Sequence, residues 1–167
     1  MRTRARQKIR LYPIPGASKQ ARRWMEAKLT VCGRLEWLEN SLVVTSELVT
    51  NAIRHTGKPF TLVYSEFDDL PWIEVCDQSP QPPTWHAQST SVESGRGLKM
   101  VARLSVICGH SFSADAFDGK IVYSLPIRDK DTPVDIPPEE IDLSAYQHTV
   151  VTARPRGSVG AIRKELR

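Results

Sequence analysis

The spacing of apolar and polar residues along the chain predicts two helices in its first half. Apolar residues recur every three or four positions from about Ser18 to Cys32 and again from about Leu35 to His55, which is the helical period. Ser18 is the expected N-cap of the first helix, and Gly33 and Gly57 are the expected stops.

Other segments alternate at every second residue and are rich in β-branched and aromatic residues, which predicts strands. In chain order, the extended or strand-like segments are Ile9–Pro15, Phe60–Phe67, Trp72–Cys76, Ser105–Ser111 and Lys120–Pro126. Asp68, Asp69 and Pro71 favour an antiparallel hairpin between the second and third of them, and a short helix is expected at about Leu98–Leu104. This order of elements predicts an α+β two-layer sandwich, in which a mixed sheet of about five strands carries helices on one face.

Composition indicates a folded domain with two flanking segments. Apolar residues make up 40% and charged residues 25% of the 167 positions, which are ordinary values for a globular protein. No apolar run is long enough to span a bilayer and no secretory signal is evident, so we expect a cytoplasmic protein with no membrane contact. We divide the chain into a basic arm at 1–8, a folded domain at 9–127, and a partly disordered, Pro- and acid-rich extension at 128–167. The three cysteines and four histidines are scattered, which disfavours a zinc site or a catalytic thiol.

The net charge of +4 comes from the N-terminus. Five of the 23 basic residues lie within residues 1–10, which leaves 18 basic against 19 acidic residues in the rest of the chain. The five are Arg2, Arg4, Arg6, Lys8 and Arg10. A short basic arm is more typical of a solvated terminus than of a phosphate-binding surface, so nucleic acid is disfavoured as a partner.

The second predicted helix carries the first candidate chemistry. Its apolar sector consists of Leu38, Leu42, Leu48, Val49, Ala52 and Ile53. Glu47 and Asn51 lie on the other side, four positions apart, so their side chains are neighbours. A carboxylate beside an amide oxygen suits a hydrated Mg²⁺ that carries nucleotide phosphates. From spacing alone, an ordinary solvated helix face is the preferred interpretation.

Two further segments have the chemistry of a nucleotide pocket. Asp77 follows a predicted buried strand, where a carboxylate can accept a hydrogen bond from an exocyclic amine such as that of adenine, although Asp also commonly opens a Pro-rich turn. Gly95 and Gly97 flank Arg96 directly before a helix, which lets backbone N–H groups approach an anion, although most such turns are plain connections. The connection at 77–97 is long enough for a functional lid or a disordered segment.

In this order, the three segments resemble the nucleotide-binding motifs of the GHKL (Bergerat-fold) ATPases. The N-box of that family is similar to Ser46–His55, the first glycine box to Val75–Pro80, and the second to Ser94–Leu98. The resemblance covers about Ile9–Pro126 and is greatest for the anti-sigma-factor serine/threonine kinases, in particular the stand-alone domains of actinobacteria. It implies the Bergerat (histidine-kinase-like ATPase) fold, with ATP and Mg²⁺ as cofactors.

The resemblance also implies a role for each motif residue. Glu47 corresponds to the general base that activates a target serine hydroxyl, Asn51 to the Mg²⁺ ligand, and Asp77 to the residue that reads adenine. The other nucleotide-binding positions are His55, Ser79, Ser94, Gly95, Arg96, Gly97 and Leu98. The implied partners are an anti-sigma-factor antagonist, which is the serine substrate, and a sigma factor or another regulatory protein. Whether the protein forms a homodimer is left open.

The sequence departs from the family pattern at two places. The first box continues as Gln78–Pro83 with prolines and no glycine, and Lys120 follows Gly119 where many relatives have threonine. Both departures bear on ATP turnover more than on ATP binding. Three functions are therefore weighed: a serine protein kinase, a catalytically weak ATP-dependent interaction module and, least favoured, a nucleic-acid-binding protein that uses the arm.

Overall fold

The computed structural model describes residues 6–83, 96–112, 119–133 and 148–153. It confirms the α+β class. In chain order, the elements are β1 (Gln7–Leu11), α1 (Ala17–Val31), a 3₁₀ turn (Leu35–Trp37), α2 (Leu38–Thr56), β2 (Phe60–Phe67), β3 (Leu70–Asp77), α3 (Arg96–Arg103), β4 (Ser105–Phe112), β5 (Lys120–Pro126) and β6 (His148–Ala153).

The described strands form one sheet in the order β1-β2-β3-β5-β4-β6, and every neighbouring pair is antiparallel. The expectation of a mixed sheet is therefore wrong. β3 and β4 do run parallel, but β5 lies between them, so the connection through α3 joins strands that are not neighbours. β6 adds a strand to the five expected, and it lies in a part of the chain for which the sequence predicts no regular structure.

Backbone conformation sets the ends of the helices and the hairpin. Helix α1 begins directly after Gly16, whose φ of 88° turns the chain, and no side chain caps it, so the N-cap assigned to Ser18 is wrong. Helix α2 ends before Gly57, which has a φ of 57°, as the sequence predicts. The β2–β3 hairpin is confirmed, and it turns at Asp68 and Asp69, whose φ values of 47° and 64° suit a two-residue turn.

Helix α2 lies between α1 and α3, and the three helices pack against the sheet as in a two-layer sandwich. Its buried residues are Ser41, Val44, Thr45, Leu48, Val49 and Ala52. Of the predicted apolar sector, Leu48, Val49 and Ala52 are thus buried, whereas Leu38, Leu42 and Ile53 are only half-buried. The Thr45 hydroxyl donates a 2.7 Å hydrogen bond to the Ser41 carbonyl, which satisfies that buried hydroxyl. Among the described residues, no helix combines the length and apolarity needed to cross a bilayer.

The sheet face opposite the helices is also apolar. The Trp72 and Tyr123 rings stack there with centroids 5.1 Å apart, and both side chains are buried. On the same face, the Arg6 guanidinium lies 2.7 Å from the Glu74 carboxylate, to which the Trp72 indole N–H also donates. The described end of the basic arm is therefore paired along the sheet, on the face that the helices do not cover.

The start of α2 is capped from a distant part of the chain. Asp129 accepts hydrogen bonds from the backbone N–H groups of Glu39 (3.1 Å) and Asn40 (2.9 Å), one on each carboxylate oxygen. The Asn40 amide donates in return to the carbonyls of the two residues that precede Asp129. Because the N-cap residue of α2 makes no side-chain hydrogen bond of its own, Asp129 satisfies helix donors that would otherwise lack a partner.

The capping role of Asp129 gives a stability prediction. We expect Asp129→Ala to lower the free energy of unfolding by about 1 kcal/mol, because two helix N–H groups lose their acceptor. Asp129→Asn retains an acceptor oxygen and should lose less, and Lys130→Ala, at an exposed neighbouring position, should be nearly neutral. Urea unfolding of the full chain measures all three. Equal stability of wild type and Asp129→Ala would contradict the cap.

Candidate functional site

Helix α2 carries three of the predicted site residues along one edge. Glu47, Asn51 and His55 follow one another at intervals of one turn. Glu47 and Asn51 are half-buried and His55 is exposed. Within the described part of the chain, no hydrogen bond or ion pair engages the Glu47 carboxylate or the Asn51 amide. A ligand at either group would therefore break no hydrogen bond or ion pair with another described residue.

The start of α3 lies directly against Glu47. A Cβ atom placed on Gly97 would overlap the Glu47 carboxylate oxygen Oε2 and would come within 3.3 Å of Cδ. Glycine therefore lets the helix start approach this carboxylate without displacing it. The backbone N–H groups of a helix start carry a partial positive charge, which favours an anion at this position. The contact joins the first and third predicted segments.

The other residues of the third segment have different positions. Arg96 is the first residue of α3. Leu98 is only 4% exposed and belongs to the core, so its side chain anchors α3 rather than facing a ligand. Ser94 and Gly95 lie outside the described residues.

The turn after β3 is held by side-chain oxygens instead of glycines. Asp77 is the last residue of β3, and its Oδ1 accepts a 2.8 Å hydrogen bond from the Ser79 backbone N–H. The Ser79 hydroxyl in turn accepts a 3.3 Å hydrogen bond from the Gln81 N–H. Such side-chain-to-backbone bonds stabilise a turn without left-handed residues. This is a physical reason why the first box can lack the usual glycines.

Asp77 also faces a buried lysine. Lys120 is its cross-strand partner on β5, and the two side chains are 2% and 1% exposed. The Lys120 Nζ lies 3.5 Å from the Asp77 Oδ2. Burial raises the pKa of Asp77, and the positive charges of Lys120 and His55 oppose that shift. Burial likewise lowers the pKa of Lys120, which the Asp77 carboxylate opposes.

Gly119 makes the approach of β5 to Asp77 possible. It has a φ of 55°, and a Cβ atom there would overlap the Asp77 carbonyl oxygen. The sequence singles out Lys120 only as a departure from a family pattern and does not predict its burial. The sequence pattern that could have predicted its burial is the two-residue period of β5, which puts Lys120 on the same face as Val122 and Ser124.

The described residues bring the three predicted segments to one side of the sheet. Glu47 meets Gly97 near the middle of α2, and Asp77 lies near His55 at its C-terminal end. Within the described ranges, no group of three or more His, Cys, Asp or Glu side chains is placed to hold a metal ion.

Comparison with known proteins gives no relative. No protein-family model matches the chain, and no curated protein matches it significantly. The residues of the candidate site are therefore the basis for a proposed function.

The contact between Glu47 and Gly97 gives a second stability prediction. Replacing a helix glycine by alanine ordinarily stabilises a protein by about 0.5–1 kcal/mol. We expect Gly97→Ala to gain less than this in the wild type, because its Cβ must displace the Glu47 carboxylate, and to gain in full when Glu47→Ala is also present. Urea unfolding of the double-mutant cycle should show a coupling of about 0.5–1 kcal/mol.

In the matched control cycle, Glu39 is mutated instead of Glu47. Glu39 is an exposed residue of the same helix. We expect Gly97→Ala and Glu39→Ala to be additive. Additivity in both cycles would mean that the Glu47 carboxylate does not rest against α3 in solution.

Proposed function

We propose that this protein binds ATP with Mg²⁺ as a Bergerat-fold ATPase and is an anti-sigma-factor-type serine protein kinase of the cytoplasm. The observation that carries the proposal is the contact of Glu47 with Gly97, because it unites two motif segments that lie far apart in the sequence. The expectation of ATP binding and of kinase activity comes from the resemblance of the sequence to the GHKL family. The antiparallel α+β architecture is compatible with that fold but is not specific to it.

The position of Asp77 supports one end of the nucleotide site. Asp77 interacts electrostatically with His55 in the last turn of α2, whereas Glu47 and Gly97 meet eight residues earlier on that helix. At 1.5 Å per residue, these two points of α2 are about 12 Å apart. The base would therefore lie at the Asp77 end and the phosphates at the start of α3, with α2 as their common wall.

Asn51 is the residue that fits a magnesium ion. Its amide lies between the two ends of the site, one turn from Glu47, and is half-buried. Mg²⁺ usually keeps several waters and binds phosphate oxygens together with only one or two protein groups. The lack of a larger ligand cluster among the described residues is compatible with that mode of binding. Mg²⁺ would neutralise phosphate charge there, and Asn51 would orient it.

The proposed reaction transfers the γ-phosphoryl group of ATP to a serine of an antagonist protein. The serine oxygen bonds to the γ-phosphorus while the bond from that phosphorus to the bridging oxygen breaks, and ADP leaves. Glu47 accepts the serine hydroxyl proton, which requires an ionised carboxylate within hydrogen-bond reach. Backbone N–H groups at the start of α3 bind phosphate oxygens. Phosphorylation of the antagonist then alters its competition for a sigma factor, which links ATP to transcription.

A second candidate function is an ATP-dependent interaction module without phosphoryl transfer. The position of Glu47 favours it, because the carboxylate packs against the start of α3. ATP binding would then set the affinity for a regulatory protein. In this case, Glu47 is dispensable for regulation.

Calorimetric titration with ATP and Mg²⁺ tests nucleotide binding. We expect a micromolar Kd for the wild type and a loss of at least about tenfold for Asn51→Ala, which removes the proposed Mg²⁺ ligand. Glu39→Ala, exposed on the same helix, is the matched control and should bind as the wild type does. Equal binding by Asn51→Ala would refute the metal assignment, and no binding by the folded wild type would refute the proposal.

Phosphoryl transfer separates the two candidates. With ATP labelled at the γ-phosphate and a serine-bearing antagonist encoded beside this chain, the wild type should label the antagonist. Glu47→Gln should lower kcat by about 100-fold or more without weakening the binding of ATP, because it removes the base and its negative charge but keeps the shape. Glu39→Gln is the control. ATP binding without labelling of the antagonist would favour the interaction module.

A further inference from the structure

The ends of β3 and β5 present an acidic and a basic group side by side. Asp77 and Lys120 face each other in register, on the sheet face that packs against the helices. Both are almost completely buried, and Lys120 is one of the largest fully buried side chains of the molecule. A lysine in such a position is rare unless its ammonium has a specific partner.

The two head groups do not exhaust each other's hydrogen-bonding capacity. Asp77 Oδ1 accepts a hydrogen bond from the Ser79 N–H, whereas the buried Oδ2 accepts none from the residues that the structure describes. The 3.5 Å between Oδ2 and Lys120 Nζ is longer than the 2.7–2.9 Å of a charge-assisted hydrogen bond. An acceptor and a donor therefore lie next to each other, at a spacing that suits two neighbouring atoms on the edge of a planar base.

We propose that Lys120 is a second base-reading residue, which selects adenine together with Asp77. This inference rests on the proposed ATP site. In adenine, the 6-amino group is a donor and the adjacent N1 is an acceptor, so Asp77 Oδ2 accepts from the amino group and Lys120 Nζ donates to N1. The edge of guanine or hypoxanthine has the reverse order, with an acceptor at position 6 and a donor at N1. Such a base would set a carbonyl against the carboxylate and an N–H against the ammonium.

A structural ion pair is the competing explanation, and it predicts different ligand behaviour. A pair that only stabilises the sheet would not distinguish purines, and its replacement would change stability alone. A lysine that reads the base makes binding sensitive to a single ring atom of the ligand. The experiment therefore varies the ligand and the residue together.

Binding constants for ATP, 1-deaza-ATP and inosine triphosphate are measured on the full chain. 1-Deaza-ATP has a C–H in place of N1 but keeps the amino group. We expect the wild type to bind it about tenfold or more weakly than ATP, since a hydrogen bond from a charged donor is lost, and to bind inosine triphosphate about 100-fold more weakly. Lys120→Met should bind ATP and 1-deaza-ATP equally. Lys19→Met, exposed on α1, should behave as the wild type does.

Lys120→Gln keeps a hydrogen-bond donor without the charge. It replaces Lys120→Met in the experiment if near-ultraviolet circular dichroism shows that Lys120→Met does not fold. It should retain part of the preference for ATP over 1-deaza-ATP. An equal preference in the wild type and in both folded variants, or tighter ATP binding by either variant, would overturn the inference while leaving the ATP site intact. If no folded form binds any triphosphate, the proposed function fails, and this inference fails with it.

Discussion

The buried pair of Asp77 and Lys120 is the interaction on which the candidate site depends. Two charges removed from water are tolerated only when they face each other closely. A slip of one residue between β3 and β5 would move Lys120 to the opposite face and would leave the Asp77 carboxylate without its cation. The register of the two strands is thus part of the site. Gly119, whose backbone lies against the Asp77 carbonyl, is part of the same constraint.

Local signals in the sequence were sufficient for most elements of the fold. The two-residue alternation of Phe60–Phe67, followed by two aspartates, predicts the β2–β3 hairpin, and Gly57 predicts the end of α2. These features depend on residues within a few positions of each other. The capping of α2 by Asp129 and the pairing of β6 with β4 depend instead on segments that are distant in sequence. Neither has a local pattern, which is why both were missed. The position of β5 between β3 and β4 is likewise not a local feature, which is why the sheet was expected to be mixed.

For the candidate site, the order of the three motif segments predicts only that they belong to one pocket. The structure places Glu47 of the first segment against Gly97 of the third. Lys120 was a different case, because a lysine near a turn is ordinarily exposed and only its position in the sheet reveals that it is buried. Its effect on Asp77 is electrostatic: the ammonium opposes the rise in the Asp77 pKa that burial causes.

The position of Glu47 determines which of the two candidate functions the site can perform. Its carboxylate rests at the start of α3, where the backbone N–H groups favour an anion. Phosphate oxygens favour the same place for the same reason. Two anions repel each other there, so in the proposed function a bound phosphate displaces the Glu47 carboxylate from α3. A kinase requires that this displacement turn Glu47 toward a substrate hydroxyl, whereas an interaction module requires only that the phosphate take its place.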